Sequence, residues 1–377
     1  FLDESVGINS VERFLGDYAL AHNLAFKKPA RETGKRVLVI GSGPAGLSAA
    51  YHLRRFGHTV HIVEMAKMAG GMMRYGIPVY RLPREILDAE VQRILDMGVT
   101  IEYGRKIENV LAEKENGKYD AVIMGMGASL SSNVDIPSGD TTRILTALDV
   151  LEKVSTDGDI QIGRKVAVYG GGNTAVDVAR SLRRLGAEPI IVYRRNRDKM
   201  PANEEEMDGA IEEGIEVKWL STIDQAQGET LKIEKMALDE KGNPQPTGEY
   251  EDMPADSVVL AIGQNVDLSP LQAIPGLELQ KDAVTVNTTT FETTVSGIFA
   301  AGDMVPGDRT VTAAIGMGKH AARGVHGFLS GRPYVKAEKH EDARWEDMHP
   351  FYYSDAPKKI RPQLELARRT STFDEVQ

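Results

Sequence analysis

The chain has 377 residues, 41% of them hydrophobic and 27% charged, a composition typical of a globular protein with two or three domains. Its formal net charge of −10 argues against nucleic acid as the main partner. No apolar run approaches the ~20 residues that span a bilayer and no signal peptide is evident, so we expect a cytoplasmic protein. The chain contains no cysteine, which excludes disulfides, thiolate nucleophiles and cysteine-bound iron–sulfur clusters within these residues.

The first predicted element is an amphipathic helix. Residues 5–22 place Val11, Phe14 and Tyr18 on one face at helical spacing. We therefore assign residues 1–32 to an N-terminal helical segment.

The next element is a glycine-rich turn between two predicted strands. Residues 37–40 form the short apolar run of a buried parallel strand. Gly41, Gly43 and Gly46 follow in a G-x-G-x-x-G pattern, which serves a tight turn, close approach of a pyrophosphate and close helix–strand packing. Glu64 ends the second strand, where a βαβ unit places the acid that binds a ribose hydroxyl. The pattern predicts a dinucleotide site.

A second unit of this kind begins at the strand 166–169. Gly170, Gly172 and Ala175 give the G-x-G-x-x-A variant of the pattern, and a helix and a strand follow. Arg194 stands where the first unit has its acid. A guanidinium can bind a 2′-phosphate bidentately, whereas a carboxylate would repel it. The second unit is therefore predicted to bind NADP(H), with NAD(H) as the less favoured nucleotide.

Two features after the second unit allow more than one interpretation. Arg194 and Arg195 either bind the 2′-phosphate or form the solvated end of a strand. The acidic stretch 203–214 is expected to be a helix with its charges in solvent. The alternative is that Glu204 or Glu205 lies near the nicotinamide ribose.

A third pattern lies near the end of the predicted core. An apolar strand at 297–301 ends in Gly302 and Asp303, and an apolar helix begins at about Thr310. Asp303 is well placed to accept hydrogen bonds from sugar-alcohol hydroxyls, and the amides at the helix start can stabilise negative charge on a reduced flavin. Together with the first unit, this pattern predicts a flavin in the first site and a nicotinamide nucleotide in the second.

The three patterns, in this order, resemble the two-dinucleotide-binding flavoprotein fold, an α/β fold with two Rossmann-like domains. More narrowly, residues 70–83, 192–206 and 300–322 resemble the small (β) subunit of glutamate synthase. Relatives in that family include the NADPH-oxidising part of dihydropyrimidine dehydrogenase and NADP-linked ferredoxin-type electron-input subunits. The resemblance covers roughly residues 5–335, and it implies FAD in the first unit and NADPH in the second.

The resemblance also implies two sets of cofactor contacts. The FAD contacts are Gly41, Gly43, Pro44, Ala45, Gly46, Glu64, Gly71, Arg74, Asp303, Thr310 and Val311. The nicotinamide nucleotide contacts are Gly171, Gly172, Asn173, Thr174, Arg194, Arg195 and Gly263. We name no catalytic residue, because hydride transfer between stacked rings needs no side-chain acid or base, and no metal ligand.

We expect the flavin-binding domain to be discontinuous. Its two predicted stretches are 33–145 and 268–335, and a nucleotide-binding domain at 146–267 is inserted between them. An extended tail at 336–377 follows. The apolar runs 121–127 and 258–264 are interpreted as the crossing strands that lead out of the flavin-binding domain and back into it.

The absence of cysteine bears on where the electrons go next. A disulfide acceptor is excluded within these residues, so the favoured route is single-electron transfer to an iron–sulfur or flavin centre outside them. In the resembled family a cluster-bearing domain precedes the first helix. We therefore expect a segment of a longer polypeptide or a hetero-oligomeric complex with a larger redox subunit, as in glutamate synthase or a 2-oxoacid:ferredoxin oxidoreductase.

Two alternatives stay open. The chain could be a non-catalytic nucleotide-binding assembly module, or a stand-alone NAD(P)H reductase with a soluble acceptor. The predicted sites are compatible with electron flow in either direction, including reduction of NADP⁺ by ferredoxin-level electrons.

Overall fold

A computed structural model describes residues 7–138, 143–156, 160–336, 338, 340–349, 351, 357 and 359–377. Its α-helices are α1 (Ile8–Ala21), α2 (Pro44–Arg55), α3 (Met72–Tyr75), α4 (Arg84–Leu95), α5 (Val110–Asn116), α6 (Ala147–Thr156), α7 (Asn173–Arg184), α8 (Glu204–Glu212), α9 (Val311–Ser330) and α10 (Leu366–Arg369). Its β-strands are β1 (Arg36–Ile40), β2 (Thr59–Val63), β3 (Thr100–Glu102), β4 (Ala121–Met124), β5 (Leu130–Ser131), β6 (Arg143–Thr146), β7 (Lys165–Tyr169), β8 (Glu188–Tyr193), β9 (Glu216–Trp219), β10 (Ser221–Gln227), β11 (Thr230–Leu238), β12 (Pro244–Pro254), β13 (Ser257–Leu260), β14 (Gln264–Asn265), β15 (Leu279–Gln280), β16 (Ala283–Val284) and β17 (Ile298–Ala300).

The first sheet is parallel throughout, in the order β17–β4–β1–β2–β3. In its register Val37 lies opposite both Val60 and Ala121. Helices α2 and α9 cover one face, where Leu53 and Ala322 are buried in the same core cluster. Both faces of β1 are buried, which explains why its sequence is an unbroken apolar run.

The second sheet is also parallel, in the order β6–β13–β7–β8–β9. Helices α6 and α7 cover one face through Val150 and Leu182. The antiparallel sheet β10–β11–β12 covers the other face, and its Leu231 and Ile233 pack against Ala167. Each nucleotide-binding turn predicted from the sequence therefore sits on its own two-sided parallel sheet.

The chain crosses between the two sheets through a short antiparallel pair. Strand β5 pairs with β14, with Leu130 opposite Asn265 and Ser131 opposite Gln264. The runs 121–127 and 258–264 lead into this crossing from the two sides, but β4 and β13 within them are inner strands of the two sheets and the crossing pair itself is β5 and β14. The apolar character of β4 and β13 reflects burial on both faces of a sheet. Strand β6 belongs to the second sheet and starts ahead of the predicted boundary at 146.

The acidic stretch at 203–214 does form a helix, but its charges are not all in solvent. Glu213 is buried, and its carboxylate pairs with Arg180 (2.8 Å) and Arg184 (2.7 Å). Glu206 forms a further ion pair with Arg180. The prediction of a fully solvated face is wrong for these two glutamates, because three arginine side chains, not solvent, face that side of α8.

The predicted N-terminal segment 1–32 and the tail 336–377 lie partly outside the described residues. Within the described ranges, α1 is followed by an irregular connection to β1, and the end of the tail packs back onto the core. None of the described helices is both long enough and apolar enough to cross a lipid bilayer.

Candidate functional site

The turn between β1 and α2 holds the first glycine pattern. Gly41 has a φ of 95°, and a Cβ there would lie 2.5 Å from the carbonyl oxygen of Gly125. A Cβ on Gly46 would lie 2.0 Å from the carbonyl oxygen of Gly41, so the helix can approach the strand this closely only at a glycine. Gly43 is the N-cap of α2 and has no side chain to satisfy the first-turn N–H groups. These groups remain available to an anionic ligand.

Glu64 follows β2 and lies beside this turn. Its Oε2 accepts hydrogen bonds from the backbone N–H (2.7 Å) and the hydroxyl (2.6 Å) of Ser42. Its Oε1 accepts one from the N–H of Ala66 (2.8 Å). The carboxylate therefore ties the turn to the end of β2, and its oxygens retain lone pairs for a ligand hydroxyl.

A cleft of about 640 Å³ opens at the carboxyl ends of the first sheet's strands. This volume is within the usual range for ligand sites. The predicted FAD contacts that line it are Gly41, Gly43, Pro44, Ala45, Glu64, Gly71 and Asp303. The lining does not include Gly46, Arg74, Thr310 or Val311.

Asp303 contributes a carboxylate to the cleft wall. Its side chain is half-buried and has no hydrogen bond or ion pair with any described residue, and burial raises its pKa while Arg309 acts in the opposite direction. Thr310 is the N-cap of α9, and its hydroxyl accepts a hydrogen bond from the N–H of Ala313 (3.1 Å). Val311 is the first residue of that helix. A half-buried carboxylate without a partner fits a ligand that supplies hydroxyl donors.

Arg74 has a different environment from the one that the resemblance implies. It is 6% exposed, its Nε donates to the carbonyl oxygen of Ala69, and its Nη2 forms an ion pair with Asp88. These contacts hold the segment on both sides of Gly71, which does line the cleft. The direct FAD contact of Arg74 stays a prediction.

The second glycine pattern lies between β7 and α7. A Cβ on Gly170 would lie 2.2 Å from the carbonyl oxygen of Ala261, and one on Gly171 would lie 2.4 Å from the ring of Tyr193. Gly172 differs, because a Cβ there would meet no protein atom within 4 Å. Gly172 is also the N-cap of α7 and makes no side-chain capping bond. The space in front of it is open to a ligand phosphate.

The other predicted contacts of the second site surround this turn. The Oδ1 of Asn173 accepts a hydrogen bond from the N–H of Asn203 (2.7 Å), which fixes the chain after β8 against the start of α7. Thr174 is half-buried in the first turn of α7. Gly263 follows β13 with a φ of 123°, and its carbonyl oxygen accepts the N–H of Ser132 (3.0 Å) beside the crossing strands.

Three arginines follow β8 and differ in their partners. Arg194 is exposed and Arg195 is half-buried, and neither forms an ion pair with a carboxylate in the described ranges of the chain. The Nε of Arg195 is buried without a hydrogen-bond acceptor. Arg197 forms an ion pair with Asp208 on α8. The cationic groups at Arg194 and Arg195 are therefore available to an anionic ligand, whereas that of Arg197 is already compensated.

Residues outside the predicted cofactor contacts also line the first cleft. They are Met72 and Tyr75 on α3, Lys106 after β3, and Asp149 and Glu152 on α6. Helix α6 packs against the second sheet, so the cleft is bounded by both halves of the molecule. Met72 and Tyr75 lie in the stretch 70–83 that carries the family resemblance, whereas no local pattern indicates Lys106, Asp149 or Glu152, because those distant segments meet only in the folded chain.

Residues 35–318 match the family model described as pyridine nucleotide-disulphide oxidoreductase. The chain belongs to this family of FAD- and NAD(P)-dependent oxidoreductases. The match covers both glycine turns, Glu64, Arg194 and Asp303. It confirms the prediction that the chain is an FAD-containing NAD(P)H oxidoreductase.

Several curated proteins of this family are similar over most of the chain. The subunit PreT of NAD-dependent dihydropyrimidine dehydrogenase from Escherichia coli is 35% identical, over 88% of this chain and 77% of PreT. The β subunit of NADP(+)-dependent formate dehydrogenase from Moorella thermoacetica is 34% identical, over 100% of this chain and 60% of that subunit. The β subunit of NADPH-Fe(3+) oxidoreductase from Geobacter sulfurreducens is 34% identical, over 92% of this chain and 57% of that subunit. The predicted relationship to dihydropyrimidine dehydrogenase is thus confirmed.

Solved structures share the fold. FprA of Mycobacterium tuberculosis, in complex with NADPH, superposes with a TM-score of 0.64 at 18% identity, covering 79% of this chain and 85% of FprA. The thioredoxin reductase of T. acidophilum gives a TM-score of 0.62 at 20% identity, covering 78% of this chain and 98% of that protein. These likenesses confirm the predicted fold of two Rossmann-like dinucleotide-binding domains.

The residues present fit the two cofactors of the family. In the first site, open N–H groups at the start of α2 suit a pyrophosphate, and the unpartnered carboxylate of Asp303 suits a polyhydroxyl chain. In the second site, the open space at Gly172 suits a second pyrophosphate. Among the described residues no group of three or more His, Asp or Glu side chains could hold a metal ion.

Proposed function

We propose that the chain is the electron-input module of a larger redox enzyme. In this proposal NADPH delivers electrons to FAD, and they leave one at a time to an iron–sulfur or flavin centre outside these residues. When bound, FAD supplies the step between a two-electron donor and a one-electron acceptor. The chain's own residues bind and orient the two nucleotides.

The observation that carries this proposal is the pairing of two complete nucleotide-binding turns with the absence of cysteine. Each turn lies at the carboxyl edge of its own parallel sheet, and one cleft is lined from both halves. The description of the family includes disulphide oxidoreductases, but a chain without cysteine cannot form a redox-active disulfide within these residues. An acceptor elsewhere is the route that remains.

The preference for NADPH over NADH rests on the end of β8. Arg194 is exposed at the position where an acid would select the unphosphorylated ribose, and no described carboxylate compensates it. The relatives' names include both an NAD-dependent and an NADP(+)-dependent enzyme, so the nucleotide preference of this chain has to be inferred from its own residues. We assign the 2′-phosphate to Arg194, with Arg195 beside it.

The partner is proposed from the relatives. PreT and the two β subunits are named as subunits, and the chain spans only about 60% of the formate dehydrogenase subunit. We infer a hetero-oligomeric complex, or cluster-bearing domains of the same polypeptide, as the electron acceptor. The cytoplasmic location expected from the sequence belongs to this proposal.

Anaerobic reduction of the purified, FAD-loaded chain tests the proposal. We expect NADPH to bleach the absorbance of the oxidised flavin, and NADH to do so less efficiently. The reduced protein should then be reoxidised by the one-electron acceptor ferricyanide and not by a small-molecule disulfide. A flavin that neither nucleotide bleaches would instead support a non-catalytic assembly module.

A further inference from the structure

Residues 70–84, called here the connecting segment, lie between the two nucleotide-binding turns and are not explained by the proposed function. At its start, the N–H of Gly70 donates to the carbonyl oxygen of Ser42 (3.0 Å). A Cβ on Gly71 would lie 2.8 Å from the Cα of Gly43, the N-cap of α2. The connecting segment therefore begins in direct contact with the flavin-site turn.

Near its end, the connecting segment contacts the helix that carries the second turn. The Nη1 of Arg81 lies 2.8 Å from both carboxylate oxygens of Asp177, and its Nε lies 3.0 Å from Glu206 on α8. Asp177 is 4% exposed and lies one helical turn after Asn173, the first residue of α7. A cation from the first half of the molecule thus holds the helix whose N-terminus faces the second nucleotide.

Tyr80 reinforces the same contact. Its side chain is fully buried, and the guanidinium carbons of Arg184 and Arg180 on α7 lie 3.8 Å and 5.0 Å from the centre of its ring. Such cation–π contacts are stronger when the groups are removed from water. The carbonyl oxygen of Tyr80 accepts the N–H of Val376 (3.0 Å), so the C-terminal residues close over the contact.

We propose that Arg81 is a positioning residue that fixes the orientation of α7, and with it the bound nicotinamide nucleotide, relative to the flavin site. The inference rests on the proposed function, since orientation matters only if the two nucleotides react with one another. Reacting atoms must approach within ~3–3.5 Å, and a displacement of about 1 Å can slow such a step ~100-fold. Residues far from the reacting rings can therefore control the rate.

The variants must separate orientation from stability. Arg81→Met alone leaves the buried carboxylate of Asp177 without its cation, which is expected to destabilise the fold. The double variant Arg81→Met with Asp177→Asn removes both charges and should recover most of the lost thermal stability. Arg164→Met is the matched control, because Arg164 pairs with Glu188 inside the second half only.

A distance measurement gives a readout that does not depend on activity. The chain has no cysteine, so Glu115→Cys and Glu216→Cys, both at exposed positions on different halves, can carry a unique pair of spin labels. In the full-length, FAD-loaded protein we expect a narrow label–label distance distribution. It should broaden in the double variant and stay narrow in Arg164→Met.

Rapid-mixing kinetics on the unlabelled proteins complete the test. The double variant should keep its FAD content and bind NADP⁺ within about twofold of the wild type, while flavin reduction at saturating NADPH slows roughly 10- to 100-fold. The proposal would be overturned if the double variant recovered the wild-type rate of flavin reduction together with its thermal stability. It would also be overturned if the label–label distance distribution of the double variant matched that of the wild type. If NADPH fails to reduce the wild type, that result counts against the proposed function, and the distance distribution alone decides the role of Arg81.

Discussion

Replacing Arg194 by alanine is expected to weaken the use of NADPH much more than that of NADH. Arg194 follows β8 with an exposed side chain and no compensating carboxylate in the described ranges, so its charge is free to hold a 2′-phosphate. A hydrogen bond to a charged group contributes roughly 1.5–3 kcal/mol. Solvent screening at an exposed position favours the lower end, about 1.5 kcal/mol, which is roughly a tenfold loss in kcat/KM for NADPH.

The assay measures kcat/KM for both nucleotides with ferricyanide as acceptor, at constant ionic strength because exposed charges are screened by salt. Arg197→Ala is the matched control, since Arg197 is already engaged by Asp208. The ratio of the NADPH value to the NADH value should fall about tenfold in Arg194→Ala and change less than about twofold in the control. Equal losses for NADPH and NADH in Arg194→Ala would refute the assignment of the 2′-phosphate.

Four other positions test the geometry of the two sites and of the contact between them. Gly172→Ala should fold normally but bind NADP⁺ poorly, because its Cβ would fill space that is open to the ligand. Gly170→Ala should lose thermal stability, because its Cβ would lie 2.2 Å from the carbonyl oxygen of Ala261. Scanning calorimetry measures the stability of both variants, and titration calorimetry measures their NADP⁺ binding. Asp303→Ala should weaken FAD binding by roughly 1.5–3 kcal/mol in fluorescence titrations without lowering the melting temperature of the FAD-free protein. Burial raises the pKa of Asp177 to about 6 from 3.8, against the effect of Arg81. The contribution of this carboxyl group to the free energy of unfolding is therefore complete below pH 3.8 and is lost as the pH rises through about 6. In urea unfolding between pH 4 and pH 7, the wild type should lose roughly 2–3 kcal/mol of unfolding free energy that Asp177→Asn does not lose.

The sequence predicted the features of the site that depend on local backbone geometry. Gly41 and Gly170 have positive φ angles and close backbone neighbours, so the backbone of each turn requires a glycine at that position. This requirement is visible in a short stretch of sequence. The strands before them are buried on both faces, which makes their apolar runs easy to recognise. Asp303 lines the cleft, and the sequence could indicate it because the strand, the turn and the helix start are contiguous, while its contact with FAD stays a prediction.

Features that depend on contacts between distant segments could not be predicted in this way. The burial of Glu213 requires Arg180 and Arg184 to face it from another helix, and nothing in the acidic stretch itself indicates those partners. The pairing of Arg81 with Asp177 joins residues 96 positions apart. Neither the burial of Glu213 nor the Arg81–Asp177 pair could be predicted, because the local sequence around a charged residue is the same whether it faces solvent or a buried partner.

Stereospecific isotope labelling tests most directly whether the two nucleotides meet in one fixed orientation. The FAD-loaded chain is mixed anaerobically with NADPH that carries deuterium on one face or the other of nicotinamide C4. Mass spectrometry then measures the deuterium content of the NADP⁺ that forms. We predict complete loss of the label from one epimer and complete retention in the other. No oxidation of NADPH, or partial loss from both epimers, would contradict a molecule that holds the two rings face to face.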